Sequence, residues 1–569
     1  MYGIFVVMHV EWVPNRGRRP TVLLRETWRE GKQVKKRTIA NLTEWPLEKI
    51  EALRKVLKGE AVVTETGVTV EQSLPHGQVE AIVGMIKKLG LDALLASRPC
   101  RERDVVLAMI AGRLIHPSSK LATTRLWHTT TLAEELSVGD ADEDELYHAL
   151  DWLLARQERI EKKLANRHLH EGSFMLYDVT SSYYEGHTCP LVRFGHDRDE
   201  KGKPIIVYGA LTDHAGRPVA LSVYPGNTGD PTTIPDQVEK LKARFGLERL
   251  VLVGDRGMLT QTQIEKVKET PGIGWISALR SSAIRDLVEQ GQIQMSLFDT
   301  RDLGEITSDD YPGERLIACF NPLLCDERKR KRNELLDATE KSLAGIVRTV
   351  ARRTKTPLGK TEIGKKVGAI MNRFKMAKHF LFTIDDRQFA FTRNEASIAR
   401  EEALDGIYVI RTSEGAERLS TEDAVRSYKQ LAQVERVFRT FKGIELLVRP
   451  IWHRTENHVR AHLFLCMLAY YVEWHMRKAL APLLFDDEML TKTRKTRHPV
   501  KPAEASVSAQ RKKTRKETPD GLPVHSFPTL MAALGTKCRN RCRIGTGISV
   551  TRLTEPTHLQ TRALELLGL

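Results

Sequence analysis

Two apolar stretches that each lead to an aspartate decide the fold: SFMLYDVTSSYYEG at 173–186 and RLVLVGDRG at 249–257. The second is almost entirely apolar before its aspartate, as in a central strand that is covered on both faces. Asp178 follows an apolar run in the first stretch, and Asp255 follows one in the second. Open α/β sheets bind their ligands at such strand ends. Both aspartates are therefore candidates for a functional site, although a single aspartate at a strand end is as often a turn or cap residue.

Further strands and helices are predicted around these two stretches. They are, in chain order, the strands PIIVYGALTD (204–213) and RPVALSVYPGN (217–227), the amphipathic helix TTIPDQVEKLKARFG (232–246), the helix TQTQIEKVKET (260–270) and the strand GIGWISALR (272–280). With the two quoted stretches, the order is strand, strand, strand, helix, strand, helix, strand. This is the element order of a ribonuclease H-like α/β domain. The predicted fold class is α/β, with a ribonuclease H-like catalytic domain interrupted by a mixed α/β insertion, and an N-terminal hairpin plus helical domain before it.

Changes of pattern along the chain predict six parts. They are an N-terminal β-hairpin module (1–60) with its turn at 30–32, a helical domain that is a candidate for DNA binding (61–172), the first part of the catalytic core (173–280), the insertion domain (281–420), the second part of the core (421–485), and a basic linker with a C-terminal tail (486–569). The second part of the core contains two helical patterns, at 421–442 and 455–480. Thr421 is the predicted N-cap of the first.

Positive charge is concentrated in two segments. The chain has 89 Lys and Arg against 73 Asp and Glu, a net charge of +16, and the segments 326–379 and 491–518 carry +10 and +8, which leaves −2 for the rest. Such patches are typical of polyanion binders, although a solvated helix face and a disordered tail would have the same composition. The presence of two such basic segments in one chain favours nucleic acid as the partner. The second segment lacks apolar periodicity, which predicts a flexible basic linker.

Composition also excludes some classes of protein. No stretch reaches the ~18 uninterrupted apolar residues of a membrane span, and the apolar run in MYGIFVVMHVEWVPNRGRRP is too short, and lacks the basic leader, for an export signal. Seven scattered cysteines, with Cys538 and Cys542 as unrelated thiols, predict reduced thiols and a cytoplasmic protein. It would be associated with the nucleoid when bound to DNA. Aromatic residues are only 6%, which with the basic charge disfavours a glycosidase that uses a carboxylate pair.

A third carboxylate would complete a metal site with the two aspartates. Two carboxylates on neighbouring strand ends repel each other unless divalent cations neutralise them, and such oxygen ligands suit Mg²⁺, or Mn²⁺ in its place. Glu435 is the candidate, because Tyr428, Glu435 and Lys442 are seven residues apart and would share one face of the helix at 421–442. A hydroxyl, a carboxylate and an ammonium on one face suit a site that holds a metal and clamps a phosphate. Taken alone, Glu435 is equally explained as a solvated helix residue.

These segments resemble a known family. LYDVTSSYYEG, LVGDRGM and the spacing Tyr428-x6-Glu435-x6-Lys442 are similar to the DDE transposases of bacterial insertion sequences, in particular to the branch with a long insertion between the second Asp and the Glu. The gap of 77 residues between the aspartates and the gap of 180 from Asp255 to Glu435 suit that branch. VRPIWHRTENHVRAHLFLCMLAYYVEW resembles the C-terminal end of the family, and QVKKRTIANL the start of some longer members. The resemblance covers most of residues 1–480.

The resemblance implies a mechanism. Asp178, Asp255 and Glu435 would hold two Mg²⁺ ions for in-line displacement at phosphorus, first by water and then by the freed 3′-hydroxyl. Tyr428 and Lys442 would hold phosphates of double-stranded DNA at the transposon end, and a homodimer would bring two ends to the target.

Two further arginines of the same helix would assist, and one position departs from the family. Arg436 and Arg439 are the additional DNA-binding candidates, whereas Leu431 stands where the family often has an arginine. His458 and His462 have the i, i+4 spacing of a metal site, but no third ligand is evident, so packing is the preferred interpretation.

Two other functions stay open at this point. A ribonuclease H-like nuclease without strand transfer, such as a junction resolvase, would use the same carboxylates. A catalytically dead transposase derivative would bind DNA only, which the intact acidic set disfavours. The sequence leaves open the terminal repeat that is recognised, the target preference, and which N-terminal helices read DNA.

Overall fold

The computed structural model describes residues 7–60, 68–490, 492–493, 496–544 and 548–569. They form two compact units, one of Met1–Leu74 with Lys537–Glu555 and one of Pro75–Thr536 with Pro556–Leu569. Parts of three predicted domains therefore lie outside the described residues. These are 1–6 of the hairpin module, 61–67 of the helical domain, and 491, 494–495 and 545–547 of the linker and tail.

The chain forms strands and helices in the following order. The strands are β1 (Val7–Asn15), β2 (Arg18–Glu30), β3 (Gln33–Asn41), β4 (Val68–Pro75), β5 (Ser173–Tyr183), β6 (Ile205–Asp213), β7 (Pro218–Pro225), β8 (Leu250–Val253), β9 (Ile273–Ala278), β10 (Leu303–Ile306), β11 (Arg315–Phe320), β12 (Phe380–Asp385), β13 (Gln388–Arg393), β14 (Ile407–Thr412), β15 (Cys538–Ile544) and β16 (Ile548–Leu553). The helices are α1 (Leu47–Leu57), α2 (Gly77–Lys88), α3 (Leu91–Leu95), α4 (Arg101–Ile115), α5 (Lys120–Leu126), α6 (Leu132–Glu135), α7 (Glu143–Leu154), α8 (Gln157–His168), α9 (Ile234–Glu239), α10 (Gln261–Lys268), α11 (Ser281–Glu289), α12 (Pro322–Arg352), α13 (Lys360–Phe374), α14 (Glu395–Glu402), α15 (Thr421–Lys429), α16 (Leu431–Lys442), α17 (Glu456–Leu480), α18 (Val507–Arg515), α19 (Phe527–Gly535) and α20 (His558–Leu567).

The first unit contains two small antiparallel sheets. One has the order β1-β2-β3, and its β2–β3 hairpin turns at Gly31, whose φ of +64° favours glycine. This confirms the turn predicted there. The other sheet has the order β16-β15-β4. Strand β4 lies in the segment that was predicted to be helical. Its sequence, VTVEQSLP, begins with the alternation of apolar and polar residues that is typical of a strand, and it lacks a helical period.

The second unit is built on an eight-stranded mixed sheet of order β10-β11-β14-β9-β8-β5-β6-β7. Strands β5, β8 and β9 are mutually parallel, and all other neighbours are antiparallel. The element order predicted for 173–280 is confirmed strand by strand. Trp275 of β9 is fully buried.

The predicted insertion, 281–420, contributes residues to three hydrophobic cores. Its strands β10, β11 and β14 continue the main sheet beyond β9. Its helices α12 and α13 and the hairpin β12–β13 form a separate core, which includes Leu343, Ile363 and Phe380. The sequence does not indicate the partners of these strands, because pairing between distant strands leaves no periodic signal.

The linker prediction for 491–518 is wrong in part, because α18 lies within it. Lys512 of α18 is almost fully buried, and its ammonium donates to the carbonyl oxygen of Ala481 at 2.8 Å and to Glu488 at 2.6 Å. Acidic residues that precede the segment thus neutralise part of its charge. Helix α19, strands β15 and β16, and helix α20 follow in the predicted tail.

Helix α17 covers the sheet beside the site. Thr455 caps it by accepting from the amide of His458 at 3.2 Å, and most of its residues are buried. It packs on β7 and on helices α4 and α7. In the described part of the chain, no helix combines the length and apolarity that crossing a membrane requires.

Candidate active site

The two aspartates reach the same level of the sheet because their strands are parallel neighbours. Leu176 of β5 is paired with Val253 of β8. Asp178 and Asp255 each lie two residues further along. They therefore occupy corresponding positions just beyond the paired part of β5 and β8. Asp255 lies beyond the end of β8, as predicted, whereas Asp178 lies within β5, which continues to Tyr183.

The carboxylate of Asp255 is oriented by the turn that follows β8. Its Oδ1 atom accepts hydrogen bonds from the amides of Gly257 at 2.8 Å and Met258 at 2.7 Å. The hydroxyl of Ser277 donates to the Asp255 carbonyl oxygen at 3.2 Å and so ties the turn to β9. Asp255 is exposed. One carboxylate oxygen is thus fixed by the backbone while the residue faces solvent.

Asp178 lies deeper than Asp255, and its environment disfavours the charged form. Burial, together with the nearby charge of Asp255, raises the pKa of Asp178 to about 7, against the opposite effects of the Val179 amide and of Arg198. The Val179 amide donates to Oδ1 at 2.7 Å. Two carboxylates that are close enough to raise a pKa, one of them desolvated, are a donor set that a bound cation would stabilise.

The helix predicted at 421–442 is two helices, α15 and α16, which meet at Gln430. The Gln430 amide donates to the carbonyl oxygen of Ser427, and the Gln433 amide donates to that of Gln430, so the chain tightens into i→i+3 bonds there. Of the three residues that are seven apart, Tyr428 therefore lies on α15, and Glu435 and Lys442 lie on α16. The predicted N-cap is wrong by one residue. The hydroxyl of Ser420, not that of Thr421, accepts the hydrogen bond from the Asp423 amide.

Helix α16 is anchored to the sheet by one apolar face. Val434, Val437 and Phe441 have no exposed surface. The rings of Phe438 and Phe441 contact Tyr208 of β6, with centroids 5.9 and 6.4 Å apart. The helix thus lies over β5 and β6.

Glu435 lies outside this apolar face and is exposed. Burial, together with the charges of Asp255 and Glu435, raises the pKa of Tyr428 to about 12. Tyr428 therefore lies within electrostatic range of both acids. Among the described residues, no three His, Cys, Asp or Glu side chains form a group that could hold a metal ion. The structure therefore brings the two aspartates together, and it leaves Glu435 outside a closed ligand cluster.

The basic candidates differ in how their charge is used. Arg436 donates to both carboxylate oxygens of Asp486, at 2.9 and 3.0 Å. Arg439 is exposed. Lys442 is half-buried and donates to Asp199 at 3.1 Å.

The departure from the family pattern at Leu431 has a structural reason. The side chain of Leu431 is buried, with 9% of the residue exposed, and it belongs to the main hydrophobic core. An arginine would be out of place there. The histidine pair is also explained by packing, because His462 is buried with its ring 4.6 Å from that of His453, and His458 stacks on Tyr147 at 4.7 Å.

Four charged residues beside the site were not identified from the sequence. Asp199 is buried and binds both Lys442 and Arg449. Arg198 pairs with Asp230 and is close enough to lower the pKa of Asp178. Asp199 and Arg198 lie in the polar run DRDEKGK, which reads as an ordinary loop.

Two family models match the chain. The model described as the transposase DDE domain matches residues 170–472, and that of the N-terminal domain of IS1634 family transposases matches residues 13–68. The first match covers more than half of the chain and includes all three acidic candidates. None of the curated proteins gives a significant match.

Proposed function

Since the matching domain covers more than half of it, the chain belongs to the DDE transposases of insertion sequences, and on this premise we propose that it binds the ends of its element, cleaves DNA strands there and joins them to target DNA. The observation that carries the proposal is the pair Asp178 and Asp255 at corresponding positions on parallel strands. The order β7-β6-β5-β8-β9, with the first three strands antiparallel, supports a ribonuclease H-like core around them.

Divalent cations fit the donor set that these residues offer. Asp178, Asp255 and Glu435 would hold two Mg²⁺ ions, or Mn²⁺ in their place, since all three supply hard oxygen ligands. When bound, such ions supply activation of the nucleophile and stabilisation of the leaving oxygen. The raised pKa of Asp178 supports this assignment, because its burial and the charge of Asp255 outweigh the opposite charge of Arg198.

The chain's own residues prepare the reaction. Asp178 must lose its proton to act as a ligand, and the Gly257 and Met258 amides keep Asp255 turned toward the site. Glu435, on the exposed side of α16, would join them when DNA is bound. Tyr428 would contact the DNA backbone between these acids.

The proposed reaction is two in-line displacements at phosphorus. Water attacks the phosphodiester at the element end, the bond to the 3′-oxygen breaks, and that oxygen takes up a proton as a free hydroxyl. This hydroxyl then attacks a target phosphodiester, forms a new bond to its phosphorus and displaces the target's 3′-oxygen. No covalent bond to the protein is needed. A homodimer bound to two ends is part of the proposal, because both ends must reach one target.

Charge-neutral substitutions test the assignment. Asp178→Asn, Asp255→Asn and Glu435→Gln should each abolish cleavage of end-containing DNA in Mg²⁺ while DNA binding persists. Asp423→Asn is the matched control, since Asp423 is a carboxylate on α15 that pairs with Arg426, and it should cleave like the wild type. Full activity of any of the three variants would remove that residue from the site.

A strand-transfer assay separates transposition from hydrolysis alone. Precut element ends are mixed with a supercoiled target plasmid, and joined products are measured. Joining by the wild type, and its loss in Asp255→Asn, are expected. Cleavage of uncut ends without any joining would favour a nuclease that lacks strand transfer.

A further inference from the structure

A buried carboxylate next to the candidate active site binds two cations at once. Asp199 lies in a turn after β5. The carboxylate of Asp197 closes this turn by accepting from the amides of Asp199 at 2.9 Å and of Gly202 at 2.9 Å. The Oδ2 atom of Asp199 accepts from the amide of Tyr183 at the end of β5, at 3.3 Å. Only 1% of the Asp199 side chain is exposed. The turn thus holds the backbone of Asp199, and the Tyr183 amide holds one oxygen of its carboxylate.

Both cations bind the same oxygen of this carboxylate. Lys442, the last residue of α16, donates from Nζ to Oδ1 at 3.1 Å. Arg449 donates from Nη1 to that oxygen, and its Nε donates to the carbonyl oxygen of Lys442 at 3.3 Å. One carboxylate therefore holds two cations from two segments. The group keeps a net charge of +1, and a structural ion pair would need only one of the two cations.

The excess charge faces outward. The exposed fraction of the side chain is 33% for Arg449 and 13% for Lys442. Within the described part of the chain, the Nη2 group of Arg449 makes no hydrogen bond. An unpaired Nη2 group beside an ammonium is suited to a phosphate, because hydrogen bonds between a guanidinium and a phosphate are charge-assisted.

The position of the group matches a DNA backbone that passes through the site. Tyr183, to which Asp199 is tied, lies five residues beyond Asp178 on β5. At ~3.3 Å per residue this is about 17 Å along the strand. A backbone that presents a phosphodiester to Asp178 would therefore place another phosphate, a few nucleotides away, near Arg449.

We propose that Arg449 and Lys442 form one phosphate-binding subsite for DNA a few nucleotides from the reacting bond, and that Asp199 is the positioning residue that holds both cations. The inference rests on the proposed function, because it requires DNA at the acidic site. It adds Arg449, which no sequence pattern indicated, and it gives Asp199 a role although this acid touches neither the DNA nor the reacting atoms. The alternative is an ion pair that only joins α16 to the following loop.

Salt dependence of binding separates the two roles. Affinity for a duplex of the element end is measured against KCl concentration without Mg²⁺, for the full chain and its variants. Arg449→Gln should lower the slope of log affinity against log salt by about 0.9, as expected for one lost phosphate contact. Arg449→Lys keeps the charge and should keep the slope. The control is Arg244→Gln, since Arg244 is 28% exposed but is balanced by Glu158 and Glu161; it should keep the wild-type slope even if its melting temperature falls.

The positioning role of Asp199 has its own readout. Asp199→Asn keeps both cations and removes the negative charge beside them. Its affinity for DNA should equal or exceed that of the wild type. Its cleavage rate at saturating DNA should fall about 10-fold, because a reaction slows when the groups that orient its substrate are displaced. A role in stability alone would lower the melting temperature and leave the rate on the folded fraction unchanged, and that result would overturn the positioning role.

The subsite and the proposed function fail in different ways. If the wild type binds and cleaves end DNA but Arg449→Gln keeps its salt slope, the subsite is wrong and the function stands. An equal loss of slope in Arg244→Gln would also overturn the subsite, since it would report a general effect of destabilisation. If the wild type neither binds nor cleaves such DNA, the proposed function falls and the subsite falls with it.

Discussion

The candidate site has two halves that differ in how they are built. The strand half is Asp178 and Asp255, which the register of β5 and β8 places side by side. The helix half is Tyr428, Glu435 and Lys442, which are carried by two helices. Lys442 is already paired with Asp199. The strand half is preorganised by the backbone. The helix half depends on tertiary packing, and among the described residues its carboxylate lies outside a closed ligand cluster.

This difference teaches where DNA must contribute. Preorganised groups require no rearrangement at the moment of reaction. A residue that joins only when substrate is bound couples the reaction to the correct substrate. We therefore expect the strand half to determine metal affinity in the free protein, and the helix half to determine activity on DNA.

Metal binding to the free protein should show the largest contrast between the halves. Loss of an outer partner of a metal ligand costs ~10–100-fold in affinity, so loss of a direct ligand in Asp178→Asn or Asp255→Asn should cost at least about 100-fold for Mn²⁺. Glu435→Gln should change it by less than about 3-fold, although it abolishes cleavage. The measurement is a titration with Mn²⁺ by calorimetry, with Asp423→Asn as the control. Equal losses in all three variants would mean that the helix half is already assembled without DNA.

Removing the anchor of the helix half should have the next largest effect. Phe441 is fully buried against Tyr208, so Phe441→Ala should lower the free energy of unfolding by about 3–5 kcal/mol. Arg439→Ala, on the exposed side of the same helix, should change it by less than about 0.5 kcal/mol. Urea denaturation of both variants gives the comparison. A small loss for Phe441→Ala would show that α16 is not held through this contact.

The pH dependence of stability tests the burial of Asp178. Its folded pKa of about 7 lies well above the ordinary range of an aspartate, so the folded state keeps a proton that the unfolded state releases. The wild type should therefore lose stability as pH rises from about 4 to 7, and Asp178→Asn should not show this loss. We expect the difference between the two proteins to change by about 3 kcal/mol over that window without metal. Parallel curves for the two proteins would contradict a desolvated carboxylate.

The corrected cap of α15 gives the smallest effect. Ser420 accepts from the Asp423 amide at 3.1 Å, so Ser420→Ala should lower the free energy of unfolding by about 1 kcal/mol. Thermal denaturation measures it, and Ser420→Asp, which restores a capping oxygen, should recover the loss. An unchanged stability in Ser420→Ala would show that the start of the helix half needs no cap.

The sequence predicted the strand half well because the relevant signals are local. An unbroken apolar run ending at Val253 predicts both the strand and its end, and the following aspartate is then placed by geometry. The helix half depended on less local facts. Nothing in the pattern at 421–442 shows that the chain tightens at Gln430, or that Leu431 is buried.

Charge was the least transferable signal. The segments 326–379 and 491–518 look alike in composition, yet Lys512 of the second is buried against acidic and carbonyl oxygens. Asp199 stands in a polar run and is nevertheless almost fully buried. Burial of a charged residue depends on partners that are distant in the chain, and so neither spacing nor net charge predicts it.

Anomalous diffraction from Mn²⁺ in crystals of the protein with an element-end duplex tests the central claim most directly. We expect an ion to be coordinated by oxygens of both Asp178 and Asp255 beside a DNA phosphate, with Glu435 turned inward to join them. An ion bound elsewhere, with the two aspartates free of it in the presence of that phosphate, would contradict the account.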